Sequence, residues 1–153
     1  MANTYTQLYV HFVFAVQNRL SLINKTWQKE LYQYICGIVH KNEHRVIAIN
    51  GVADHVHLLV SMHPKQTVSD LMHDVKRNSS LWINEQKLVM GKFSWQEGFG
   101  AFTYSKSQIS NVAIYIENQE EHHKKANFRE EYLKMLEKFD VTFDEKYIFH
   151  EIE

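Results

Sequence analysis

Cysteine and proline each occur once in the 153 residues, glycine five times, and no apolar run is long. The lone Cys36 has no partner for an internal disulfide, which excludes a stapled secreted scaffold. So little glycine and proline, with 44% hydrophobic residues, excludes a collagenous or disordered chain. The longest apolar stretches fall short of the roughly 18 residues a membrane-spanning helix needs. The opening Met-Ala-Asn-Thr-Tyr-Thr-Gln lacks the charged-then-apolar layout of a signal peptide. An excess of charge of either sign is also missing: 17 Lys and Arg against 18 Asp and Glu leave a net −1. The whole-molecule field therefore gives no reason to expect nucleic acid, and any phosphate binding has to come from a local basic patch. A single domain spanning residues 1–153, cytoplasmic and without membrane contact, is expected.

What the chain does have is histidine and tyrosine, 10 and 8 of them, residue types that do chemistry as well as packing. Residues 5–16, aromatic and β-branched with partial alternation, predict a strand. Asn24 offers an N-cap before a helix to about Asn42, along which Trp27, Leu31, Tyr34, Ile35 and Ile38 recur at three and four. Residues 45–52 and 55–62 predict two strands joined at Ala53-Asp54, the second closed by Pro64. Thr67, with Asp70 three residues on, opens a helix through Leu71, Val75 and Trp82. Gly91 to Gly100 reads as a loop, 101–104 as a short strand, Ser107 or Ser110 to about Lys124 as a helix, and Phe128 to Phe139 as a last helix. The order β-α-β-β-α-β with further helices predicts an α+β, ferredoxin-like (split β-α-β) fold. That is an antiparallel sheet with helices on one face and an extra C-terminal helix.

Two constellations carry chemistry. His55 and His57 are two apart on a predicted strand, so they share a face, while Val56, Leu58 and Val60 point into the core. Two imidazoles so placed can grip one divalent metal; the same spacing also suits two half-exposed histidines on an open sheet face. Tyr115 and Gln119 are four apart, neighbours on one flank of a helix seated by Ile109, Val112 and Ile116. An edge tyrosine is commonly an amphipathic packing residue, and Gln119 alone suits a solvated surface. The cluster His122-His123-Lys124-Lys125 suits a helix C-terminus, where cations favour the macrodipole. Lys76, Arg77 and Lys92 are candidates to add a phosphate-binding patch.

Together, H-V-H-L-L-V at 55–60, W-Q-E-G-F-G-A-F-T at 95–103, Y-I-E-N-Q-E-E-H-H-K-K at 115–125 and F-R-E-E-Y at 128–132 resemble one family. It is the single-tyrosine HUH transposases of small bacterial insertion sequences, of the IS200 type. The opening Y-V-H-F-V-F-A-V-Q-N-R and closing F-D-E-K-Y-I-F resemble that family's ends, so the likeness covers nearly the whole chain. It implies that Tyr115 is the nucleophile and that His55, His57 and Gln119 hold Mg²⁺ or Mn²⁺. It implies a single-stranded DNA substrate with subterminal hairpins, a 5′-phosphotyrosine intermediate and no need for ATP. It further implies a homodimer whose sites are shared between chains. Lys76, Arg77, Lys92, His122, His123 and Lys124 are the expected DNA contacts. One departure from the family pattern is Phe99, where a tyrosine is expected between glycines. A non-catalytic hairpin-binding module and a phosphodiesterase using water are the competing readings, and the intact set of His55, His57, Tyr115 and Gln119 favours the strand transferase.

Overall fold

A computed structural model describes residues 3–143; positions 144–149 of the closing motif lie outside them. Strand β1 (Tyr9–Ala15) leads through a 3-10 turn (Gln17–Arg19) to helix α1 (Lys25–Lys41). The hairpin β2 (Arg45–Val52) and β3 (His55–Ser61) is followed by α2 (Val68–Glu85) and β4 (Gly100–Thr103). A second 3-10 turn (Lys106–Gln108) opens α3 (Ile109–Glu117), then α4 (Gln119–His122) and α5 (Phe128–Lys138). The four strands pair in the order β2-β3-β1-β4, all antiparallel, which is the expected ferredoxin-like arrangement. Asn24 accepts from the Thr26 amide at 2.9 Å and Thr67 from the Asp70 amide at 3.1 Å, so the two long helices start where their capping residues stand.

Alternation along the strands sorts the side chains into two cores. Val10, Phe12 and Phe14 of β1, Val16 just after it, and Val56, Leu58 and Val60 of β3 face Trp27, Leu31, Ile35 and Val39 of α1 and Leu71, Val75 and Ile83 of α2. Each such large side chain, fully buried, contributes about 1.5–3 kcal/mol. The opposite face carries Val13, Ala15 and Phe102 against Phe128, Tyr132, Met135 and Leu136, with Ala48 and Leu59 against Val112 and Ile116. Both crossover helices thus lie on one face as expected, while α3 and α5 close the other. His55 and His57 are therefore not half-exposed: each is 0% accessible.

The expected helix over 107–124 is broken. Asn118 leaves helical geometry (φ −96°, ψ 21°), ending α3 and starting α4. β1 also begins at Tyr9 rather than Tyr5: its ladder with β3 starts at Tyr9 opposite Ser61, and beyond it the Leu8 carbonyl accepts from the Met62 amide at 2.7 Å. In the β2–β3 hairpin, a side chain at Gly51 would run into the His55 carbonyl, so the close approach of the two strands requires glycine there.

Candidate catalytic and metal site

The site lies on the sheet face covered by α3–α5. His55 opens β3 immediately after the two-residue turn, and the turn's own Asp54 holds it: His55 Nδ1 donates to Asp54 Oδ1 at 2.7 Å. Asp54 Oδ2 accepts from Arg19 at 3.0 Å. Arg19 is buried, sits in the left-handed backbone region (φ 53°), and its guanidinium lies 5.0 Å from the Phe128 ring centre. That same phenyl ring stacks on His55, centroids 4.1 Å apart and planes at 18°. His55 is thereby fixed by a carboxylate at one edge and an aromatic face below, with Nε2 aimed at the site.

His57 is oriented by a different neighbour. Its Nδ1 lies 2.8 Å from His11 Nε2, and its Nε2 lies 2.9 Å from Glu131 Oε1. Burial, then the neighbouring His57, hold His11 well below the ordinary histidine range, against the opposing pull of Glu131. Burial takes His57 down to about 4, although Glu131 acts in the other direction. Neutral rings satisfy this chain of contacts: His11 donates to His57, which donates to Glu131.

Glu131, on the first turn of α5, stands at the centre. Its Oε1 is 3.5 Å from His55 Nε2, 2.9 Å from His57 Nε2 and 3.2 Å from His123 Nε2. Its Oε2 accepts from the Tyr115 hydroxyl and, at 3.2 Å, from Gln119 Nε2, with His122 Nε2 at 3.1 Å. Burial alone would raise this carboxyl, but its close contacts with His123, His55 and His57 hold it well below the usual carboxylate range. Tyr115 moves the opposite way, raised above the ordinary phenol value by burial and then by the charge of Glu131. Its ring meets His57 edge-on, centroids 5.8 Å apart at 88°.

Nitrogen and oxygen donors converge here in a way that fits a cation. Ligand atoms of His55, His57, His123 and Glu131 lie within 4.8 Å of one another. His123 Nδ1 donates to the Ala126 carbonyl at 2.9 Å, leaving Nε2 against two oxygens, Gln119 Oε1 at 3.0 Å and Glu131 Oε1 at 3.2 Å. His55 has the same predicament: Asp54 takes Nδ1, while Nε2 faces Gln119 Oε1 at 3.4 Å and Glu131 Oε1. A neutral imidazole carries one N–H, so each ring opposes a lone pair to oxygen unless a proton or a metal ion sits between them. Burial opposes a cationic His55, yet hydrogen bonds to Asp54 and Glu131 outweigh it and raise its pKa. Imidazoles with carboxylate and amide oxygens form a mixed donor set that suits Mn²⁺ better than Mg²⁺.

Of the residues singled out in the sequence, His55, His57, Tyr115 and Gln119 are brought together, and within one chain. His123, expected at the DNA, turns into the histidine cluster; His122, 34% exposed, stands at its edge. Lys124 is exposed and paired with Glu121 at 2.8 Å. Lys76 lies on α2, on the other side of the sheet, where its ammonium donates to the Gln96 carbonyl at 2.8 Å and to the Gly98 carbonyl, close to the Phe99 ring. Arg77 and Lys92 are exposed and remote from the cluster. Glu131, His11, Asp54 and Arg19 escaped the sequence reading. A signal for Glu131 was present: it occupies a position of the stripe formed by Phe128, Tyr132, Met135 and Leu136, where an apolar residue belongs.

Tyr115 and Glu131 open onto a cleft of about 410 Å³ between α3 and α5.

Comparison with known proteins gives a consistent result. Residues 4–119 match the family described as "Transposase IS200 like". Over 118 residues the chain is 26% identical to the ISDra2 transposase TnpA of Deinococcus radiodurans, covering 74% of this chain and 84% of that protein. Over 130 residues it is 27% identical to the IS200 transposase of Salmonella typhimurium, covering 81% and 84%. Its fold is similar to that of a crystallised transposase candidate from D. radiodurans R1 (TM-score 0.63, 21% identity, 78% of this chain and 95% of that one). It is also similar to that of a REP-associated tyrosine transposase bound to a REP hairpin (TM-score 0.61, 15% identity, 80% and 73%).

Proposed function

The chain belongs to the IS200-like transposase family, a family of DNA transposases of insertion sequences, and from that premise we propose that it cleaves and rejoins single-stranded DNA with Tyr115 as nucleophile. The observation that carries this reading is the Glu131 carboxylate, one oxygen facing three histidines and the other bonded to the Tyr115 hydroxyl. A histidine cluster and a nucleophile joined through one buried side chain suit a phosphodiester held at one and attacked by the other.

In the proposed step the Tyr115 oxygen bonds to the scissile phosphorus and the bond from phosphorus to the 3′ oxygen breaks. The tyrosine proton leaves, the 3′ oxygen gains one, and the 5′ phosphate stays on the enzyme. An ester is exchanged for an ester, so a 3′ hydroxyl can later reverse the exchange without ATP. Mg²⁺ or Mn²⁺, held by His55, His57 and Gln119 with His123 and Glu131 in reach, would supply positive charge to a non-bridging phosphate oxygen. Glu131 and burial together keep the proton on Tyr115. Positive charge held at the histidines would oppose that hold and favour loss of the Tyr115 proton. Asp54 and His11 act by aiming His55 and His57. The hairpin-bearing single strand, the homodimer and a cytoplasmic location belong to the same proposal; Tyr115 already reaches the histidines of its own chain. Among the described residues no helix is long and apolar enough to cross a membrane.

The test is a covalent-trapping gel. Wild type and Tyr115→Phe are incubated with labelled single strands from the flanks of the gene, with Mn²⁺ or with EDTA. A denaturant-resistant protein–DNA band that needs both Tyr115 and Mn²⁺ is the expected result. DNA that shifts on a native gel without ever forming such a band points to a binding module. Cleavage that survives in Tyr115→Phe points to attack by water.

A further inference from the structure

The cleft beside Tyr115 has features that neither the fold nor the metal site accounts for. Its floor is formed by Tyr115, Glu131 and His122, its apolar walls by Tyr104, Val112 and Met135, and its rim by Lys134 and Lys138. The two lysines are one turn apart on α5, hence neighbours on one flank, where like charges disfavour a helix by about 0.2–0.5 kcal/mol. Neither forms an ion pair among the described residues, whereas Lys124, Lys25 and Lys65 each do. Packing of α5 is done by Phe128, Tyr132, Met135 and Leu136, so folding does not require the lysines. The ammonium of Lys138 is held 5.6 Å from the Tyr104 ring centre, over the apolar wall.

We propose that this cleft is a nucleotide subsite, resting on the reading of Tyr115 as nucleophile: it receives one unpaired nucleotide next to the scissile phosphate. Lys134 and Lys138 hold the backbone phosphates, and Tyr104, Val112 and Met135 take the sugar and base. A cleft of about 410 Å³ is within the range that encloses small ligands. Charge complementarity selects the occupant. An apolar trough whose two rim ammonium groups form no ion pair among the described residues suits an aromatic base on a polyanionic strand better than an apolar protein segment. The position adds direction, since a strand lying in the trough passes its phosphate over the Tyr115 hydroxyl, the end of the ring that faces Glu131. The exposed amides of Gln108 and Asn111, on the same lining, offer donors and acceptors to the edge of the base. This places a DNA contact on α5 at residues the sequence does not bring to notice, with His122 the one expected basic contact that shares the cleft.

The experiment is equilibrium binding of a short, unstructured single-stranded oligonucleotide, read by fluorescence anisotropy across a salt series without divalent metal, so that no cleavage intervenes. The protein is compared with Lys134→Ala/Lys138→Ala and with Lys29→Ala/Lys41→Ala, which removes the same charge from α1 on the other face. Each phosphate contact to a single strand contributes about 0.7 to the slope of log K against log salt. The α5 variant is expected to lose about 1.4 from that slope and the α1 variant none. In the covalent assay the α5 variant needs several-fold more DNA for half-maximal adduct but reaches the wild-type plateau. An unchanged slope overturns the subsite, and so does an equal loss in both double variants, which marks general surface charge. Absence of adduct from wild type would instead sink the nucleophile reading, and leaves the slope as an independent measure of the subsite.

Discussion

At the scale of the residue, the site is organised by side chains that would touch neither metal nor DNA. Asp54 is the clearest. It bonds His55 Nδ1 at 2.7 Å and Arg19 at 3.0 Å, and although burial pushes its carboxyl up, its interactions with His55 and Arg19 outweigh that and keep it below the ordinary range. Removing its charge leaves Arg19 buried without a counter-ion and His55 free to change tautomer. Outer partners of metal-binding histidines are typically worth 10–100-fold in affinity. Asp54→Asn, which keeps the shape, is therefore expected to weaken Mn²⁺ binding by about 10–100-fold in a calorimetric titration. Unchanged affinity would mean that the Phe128 stack alone orients the ring. Lys76 shows the converse: a basic residue that reads as a phosphate ligand is occupied by two backbone carbonyls, and burial lowers its pKa to about 8 despite nearby Glu97.

At the scale of the element, α5 is the part whose integrity the site depends on most, because its first turn carries both Phe128 and Glu131. Asn127 caps that turn, accepting from the Glu130 amide at 2.9 Å. Thr67 caps α2 in the same manner on the far side of the sheet. Losing either cap costs about 1 kcal/mol. Asn127→Ala and Thr67→Ala should thus lower the urea midpoint similarly, but only Asn127→Ala should weaken Mn²⁺ binding. Equal effects on metal binding would show that Glu131 is held by the cluster and not by its helix. The strands and both long helices were legible in the sequence because period-two alternation and capping residues are local signals. The break at Asn118 was not, since no glycine or proline marks it. It comes from packing, as Gln119 and His123 turn toward Glu131. His55 and His57 were legible as a pair, but their burial was not, because it depends on helices some 60 residues further along the chain folding over them. Glu131 showed only as one acid misplaced in an apolar stripe, and spacing within a helix cannot say what meets it from the sheet.

At the scale of the whole molecule, a near-neutral chain gathers four histidines around one buried carboxylate, where protons and a bound metal would compete for the same lone pairs. His55 has a pKa above the unfolded value, because Asp54 and Glu131 outweigh burial. Its proton therefore stabilises the metal-free fold below the unfolded pKa of about 6.5, and that contribution fades as pH rises through the higher folded value. A metal held by the cluster would have the opposite dependence, since it would need an unprotonated Nε2 and would have to displace the proton at lower pH. His57, at about 4, is neutral across the window from pH 5.5 to 8 and does not compete. Mn²⁺ at 100 times its dissociation constant adds about 2.7 kcal/mol, or roughly 5–11 °C in Tm for a chain of this size. That gain should be present at pH 8 and shrink toward pH 5.5, losing about 1.4 kcal/mol per unit once His55 is protonated. Thermal melts with Mn²⁺ and with EDTA across this range measure it. A gain independent of pH would mean that His55 is not a ligand. A gain that persists in His55→Ala/His57→Ala would place the ion elsewhere on the chain.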